Sequence, residues 1–162
     1  MKHLYLVRHA KSSWKYDVSD YKRPLKKRGF EDAHLVSNHL KNIITLPELV
    51  ISSDANRALT TANIFTGNLG LKEDDIKLDH ELYDFSGQGL TNVIKNCDDS
   101  INTLMVFGHN HAMTYFVNTY GSKPIGNVPT SGFTHIEIDI KSWNDLTEGN
   151  TVLTVFPRDL KS

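Results

Sequence analysis

Apolar residues recur along this chain in two rhythms: short runs of strand length, and longer stretches with three- and four-residue spacing. His3–Val7 is rich in large apolar side chains and predicts a strand. A polar loop from Lys11 to about Lys22 follows, and Pro24 marks the start of a helix. In that helix Ala33, Val36, Leu40 and Ile43 or Ile44 make one apolar stripe, and Pro47 closes the connection. Leu49–Ile51 predicts a second strand. Ser53 is placed to cap the next helix, where Ala58, Ala62 and Phe65 share a face and Gly67 or Gly70 ends the run.

Farther on, Ile76–Leu78 predicts a short strand, LYDFSGQG a loop, and Leu90–Lys95 a short helix. Thr103–Phe107 is continuously apolar, as a central strand covered on both faces would be. Ala112–Tyr120 reads as helix, ended near Gly121. Phe133–Ile140 and Thr151–Phe156 both alternate, and the turn-rich SWNDLTEGN between them predicts an antiparallel pair. No repeat, linker or low-complexity tract interrupts the pattern. The expected fold is one α/β domain over residues 1–162, a three-layer α/β/α sandwich with a mostly parallel central sheet and an antiparallel C-terminal strand pair.

Composition narrows function more than fold. With 162 residues, 39% hydrophobic and 23% charged, the chain can bury an ordinary core. A net charge of −1 gives no overall basic character that would favour nucleic acid. Lys22, Arg23, Lys26, Lys27 and Arg28 do cluster around Pro24, either as a solvated face or as a rim attracting a phosphorylated protein or small phosphate ester. No stretch approaches the ~20 apolar residues of a membrane span, and the run after Met1 is too short for a signal-peptide core. A cytoplasmic protein with no membrane partner is expected. Cys97, the single cysteine, permits neither a disulfide nor a thiolate zinc cluster within the chain.

The chemistry concentrates where apolar runs end. Arg8 and His9 follow the first run, Arg57 comes just after the second, and His109 ends the third. A parallel sheet would bring such strand ends to one edge. A neutral imidazole can attack phosphorus when its other nitrogen is held by a hydrogen bond, and adjacent guanidinium groups offer forked donors to phosphoryl oxygens. Arg57 lies near a helix start, where the macrodipole disfavours a cation; a bound anion would resolve that conflict. His109, in FGHN, can donate to a phosphoryl oxygen, with Gly108 bending the backbone and Asn110 capping the next helix. Each residue alone could be a surface or structural side chain. His109, His111 and His9 also raise a metal reading, but no aspartate stands at the strand ends, so no metal or other cofactor is expected.

The chain resembles the histidine phosphatase superfamily, in particular its small SixA-like phosphohistidine phosphatase branch. LVRHAKSSW is similar to the family's Arg-His-Gly segment, Asp20–Gly29 to its Asp…Arg-Pro-Leu…Gly segment, SSDANRALTTA to the motif of the second arginine, VFGHN to that of the second histidine, and PTSGF to a C-terminal motif. The resemblance implies a metal-independent hydrolase with His9 as the phosphorylated nucleophile and Arg8, Arg57 and His109 as the phosphate pocket. It also implies a polar phosphate contact from Ser12 or Ser13, and Asp84 in Leu82-Tyr83-Asp84, with Glu81 as its neighbour, as proton donor; either carboxylate alone could be a solvated loop residue. The implied substrate is phosphohistidine in a protein, with a small phosphomonoester or a noncatalytic phosphate-binding role as alternatives. Ala10 replaces the family's glycine and would be strained at positive φ. Lys26 stands where a capping Thr or Asn is usual, leaving that helix start poorly capped.

Overall fold

A computed structural model describes residues 1–161. The elements in chain order are β1 (Lys2–Arg8), α1 (Lys27–Leu40), β2 (Leu49–Ser52), α2 (Asn56–Leu69), β3 (Ile76–Leu78), α3 (Gln88–Lys95), β4 (Thr103–Gly108), α4 (Ala112–Tyr120), β5 (Phe133–Ile138), β6 (Asn150–Val155) and the single turn α5 (Pro157–Leu160). The strands form one sheet in the order β3-β2-β4-β1-β5-β6. β3, β2, β4 and β1 are mutually parallel, β5 runs antiparallel to β1, and β6 runs antiparallel to β5.

Period-two alternation sorts β1 onto two cores. Leu4 and Leu6 face Leu90, Ile94, Met113 and Phe116 of α3 and α4. Tyr5 and Val7 face Ala33, Val36, Leu40, Ala62 and Phe65 of α1 and α2. The result is the expected α/β/α layering, with β1 and β4 covered on both sides. Among the described residues no helix is long and apolar enough to cross a membrane.

Local differences from the sequence expectations bear on the site. Helix α1 begins at Lys27, not at Pro24, because Pro24 and Lys26 are held beside the loop after β1: Ser13 N donates to Pro24 O (2.8 Å) and Lys26 N to Lys11 O (3.0 Å). Lys26 supplies no side-chain cap, as its side chain predicts. Gly29, in the first turn of α1, lies against the Lys11 carbonyl, and a Cβ there would collide with that oxygen. Helix α1 stops at Leu40; beyond it Ile43 is half-exposed, while Ile44 packs against the core that the stripe faces. Gly70 ends α2 in the left-handed region at φ 83°. Strand β5 ends at Ile138, two residues early, and α3 begins two residues early at Gln88.

Candidate active site

Arg8 is the last residue of β1 and pairs in register with Gly108, the last residue of β4. Strand β2 lies on the other side of β4, so the carboxyl ends of β1, β4 and β2 are adjacent. Gly108 is therefore a strand residue, and the chain leaves the sheet only after it. His9 is buried, and its Nδ1 lies 2.7 Å from the carbonyl of Ala10. A carbonyl can only accept, so Nδ1 carries the proton and Nε2 keeps its lone pair. Ala10 N donates to Thr61 Oγ1 (2.9 Å), and Thr61 Oγ1 donates to Arg57 O (2.7 Å), which ties this loop to α2. Ser131 N donates to both Arg8 O (3.1 Å) and His9 O (3.2 Å). Among the described residues only Ser131, of the non-glycines, has positive φ, at 60°. Ala10 thus escapes the strain that its replacement of glycine threatened; Ser131, in PTSGF, carries it instead.

Arg57 is the second residue of α2 and almost wholly buried. Its Nη1 donates to Asp20 O (2.7 Å) and its Nη2 to Asp20 Oδ2 (3.0 Å). Arg23 Nε reaches Asp20 Oδ1 (3.0 Å), and Tyr83 OH donates to Asp20 Oδ2. The anion that offsets the α2 dipole is thus, in part, a carboxylate of the chain itself. Burial works to raise the Asp20 carboxyl, but the bonds from Tyr83, Arg23 and Arg57 outweigh it and hold the group at about 2.

His109 follows β4, with its ring centroid 5.2 Å from that of His9. Its Nε2 lies 2.9 Å from Ser53 Oγ, which also accepts from Ala55 N (3.2 Å). Ser53 is fully buried and can place its proton only on this nitrogen, so Nδ1 of His109 carries the other hydrogen. Ser53 accordingly does not cap α2, whose N-cap is Ala55. Asn110 does serve the start of α4, its Oδ1 accepting from Thr114 N (3.1 Å). Six buried side-chain polar atoms among the described residues lack a hydrogen-bond partner, and four belong here: Arg8 Nε, Arg57 Nε, His109 Nδ1 and Ser131 Oγ. All four can donate.

A cavity of about 390 Å³ opens at this edge, lined by Arg8, His9, Arg57, Asp20, Arg23 and Ser12 together with Lys11, Lys26, Trp14 and Phe85. Ser12 Oγ accepts from Arg23 Nη1, whereas Ser13 turns away and accepts from Lys15 N (3.1 Å). Asp84 does not line the cavity; nor do His109 and Ser131, which instead neighbour His9 through its ring and its carbonyl. The Asp84 carboxylate accepts from Ser86 N (3.1 Å), Ser86 Oγ (3.0 Å), Gly87 N (3.0 Å) and Leu90 N (3.0 Å), so it organises the loop before α3. Those bonds override burial and lower its pKa. The carboxylate at the cavity is Asp20, the first residue of the Asp20–Gly29 segment, for which the sequence alone suggests no role. Tyr83 and Ser131 were likewise missed. Of the basic cluster, Arg23 and Lys26 reach the cavity, while Arg28 approaches Asp32 (3.6 Å) on α1. No group of three or more His, Cys, Asp or Glu residues among those described could hold a metal ion. Cys97 is buried, its thiol pushed up to about 11 chiefly by burial.

Both ring histidines are held neutral. Burial, together with the Arg57, Arg8 and Arg23 charges, lowers His9 to about 3 against the opposing Ala10 bond. Burial, then the charges of His9 and Arg57, lowers His109 to about 2. Above about pH 6.5 both groups are neutral folded or unfolded. Below it the unfolded chain takes up protons that the folded chain refuses, so stability falls with pH until the folded values are reached. Each group adds a slope of up to about 1.4 kcal/mol per pH unit in that window. Urea midpoints are expected to drop from pH 7 to pH 5, and His9→Gln to make that drop shallower.

Residues 4–92 match the model of the histidine phosphatase superfamily, branch 1. An uncharacterised chloroplastic protein of Arabidopsis thaliana is 34% identical over 116 residues, covering 66% of this chain. The match spans about half (53%) of that relative's length. Among solved structures, protein histidine phosphatase SixA complexed with tungstate superposes with a TM-score of 0.79 at 22% identity, covering 98% of this chain and 99% of that one. A SixA-type protein of Agrobacterium tumefaciens gives 0.72 at 23% identity, covering 84% and 91%. With more than half of its length matched by the family model, and with a SixA-like fold, the chain belongs to the histidine phosphatase superfamily.

Proposed function

We propose that the protein is a metal-independent phosphatase that transfers a phosphoryl group from its substrate to His9 Nε2 and then to water. The supporting observation is the pairing of a neutral imidazole, its Nδ1 fixed on the Ala10 carbonyl, with unpartnered buried donors on Arg8, Arg57, His109 and Ser131. A tetrahedral dianion offers acceptors to such a set, and the arginines meet its charge. In the first displacement the P–Nε2 bond forms as the leaving-group bond breaks. In the second, water attacks phosphorus, the P–Nε2 bond breaks, and the lone pair returns to Nε2.

Asp20 is the carboxylate suited to take the proton of that water. It is ionised at neutral pH, three of its acceptor sites are used, and its side chain is 42% exposed. An ionised Asp20 is a poor acid, which favours a leaving group that departs without help. Imidazole, with a pKa near 6.5, is such a group once its ring is protonated. Phosphohistidine in a protein is accordingly the proposed substrate, ahead of alkyl phosphate esters. A phosphohistidine peptide should be hydrolysed faster than its phosphoserine counterpart, in the presence of chelator as well as without it. A preference for the serine ester would overturn the substrate assignment. Asp20→Asn is expected to lower turnover roughly 100-fold, measured as kcat. Asp84→Asn should lower the unfolding midpoint, with kcat of the folded protein little changed.

A further inference from the structure

Two aromatic rings at the cavity mouth are not used by the chemistry above. Trp14, from the loop after β1, is 78% exposed, and Arg23 lies against one face of its indole, with Cζ 3.5 Å from the ring centroid. Arg23 itself is buried. The indole therefore anchors on a fixed cation through one face and leaves most of its surface to solvent. Phe85, from the loop that Asp84 organises, is 49% exposed and stands 5.3 Å, centroid to centroid, from the His109 ring. Tyr83 backs it at 5.4 Å and packs in turn against Tyr21 at 5.6 Å. Trp14 and Phe85 both line the cavity that contains His9. Large rings left in water beside a cationic pocket lose the hydrophobic gain that burial would give, unless a ligand covers them.

We infer that Trp14 and Phe85 form a leaving-group clamp that selects phosphoryl groups carried on a flat ring, such as imidazole or phenyl, over those carried on an alkyl chain. A planar leaving group can stack on either ring, whereas a methyl or serine-like group has no face to offer. The phosphoryl end would meet the arginines in both cases, so the rings act on the difference between ligands, which is what sets specificity. The inference rests on the phosphoryl-binding reading of the pocket.

Calorimetric titration with phenylphosphonate and methylphosphonate tests it without needing turnover. The wild-type protein is expected to bind phenylphosphonate more tightly by roughly 10-fold or more, with Trp14→Ala and Phe85→Ala each reducing that ratio by roughly 3- to 10-fold. Trp14→Phe should restore most of it, and methylphosphonate affinity should stay within about twofold throughout. Equal weakening of both phosphonates in Trp14→Ala would mean that the indole merely holds Arg23, and would overturn the clamp. So would an unchanged ratio in both alanine variants, or no binding of either ligand. If ring-bearing and ringless phosphonates bind alike while phosphohistidine is still hydrolysed, the clamp fails and the phosphatase reading stands. A ring preference that depends on Trp14 and Phe85 in a protein without turnover would support the clamp and refute the phosphatase.

Discussion

Replacing His9 with alanine is expected to abolish turnover, by about 10⁴- to 10⁶-fold in kcat, while the protein remains folded. The size of the loss follows from the site's design: His9 is the imidazole at the cavity whose Nε2 has no hydrogen-bond partner. His109 lies beside it, but its Nε2 is committed to Ser53 and its Nδ1 carries a proton. The fold should tolerate the change, because His9 contributes one hydrogen bond, to Ala10 O of its own loop. The Ala10 amide keeps its bond to Thr61, and Ser131 N still bridges the Arg8 and His9 carbonyls. Steady-state rates and thermal unfolding on the same preparation separate the two effects. Activity within tenfold of wild type in the folded variant would exclude His9 as nucleophile.

Arg57→Ala is expected to lower kcat/KM by about 10²- to 10³-fold, and Arg57→Lys to recover only a minor part. The guanidinium spends its Nη groups on Asp20, through the carbonyl and one carboxylate oxygen, and keeps an unpartnered Nε. Lysine replaces this fork with a single point of charge and cannot span both Asp20 acceptors. Losing Arg57 also frees Asp20, which would then be held only by Arg23 and Tyr83. Because the Asp20 side chain is 42% exposed, water can replace the missing donors, and only a modest fall in stability is expected. Full recovery of kcat/KM in Arg57→Lys would show that charge alone matters at this position.

The strand ends that carry Arg8, His9 and His109, and the helix start that carries Arg57, were legible in sequence because apolar runs report the sheet and polar residues just beyond them report its edge. The layered fold was legible for the same reason: β1 and β4 lie in the middle of the sheet and read as apolar runs. What escaped was held by loops. Asp20 reaches Arg57 across 37 positions of chain, and Tyr83 reaches Asp20 across 63. Periodicity carries no signal for such contacts. Asp84 was assigned by resemblance, yet the Ser86-Gly87 that follows it marks an aspartate turn, where the carboxylate is spent on nearby amides. Ser53 read as a helix cap because its side chain is the right type two positions too early; the buried His109 competes for the same hydroxyl. Ser131 shows nothing unusual in sequence, since only its φ of 60° reveals the backbone that pins the Arg8–His9 segment.

Rapid quenching with ³²P-labelled phosphohistidine peptide, followed by acid and base treatment and mapping of the labelled residue, tests the central claim most directly. The account predicts label that is lost in acid, survives base, maps to His9 and disappears in His9→Ala. Turnover without such label, or label on any other residue, would contradict it.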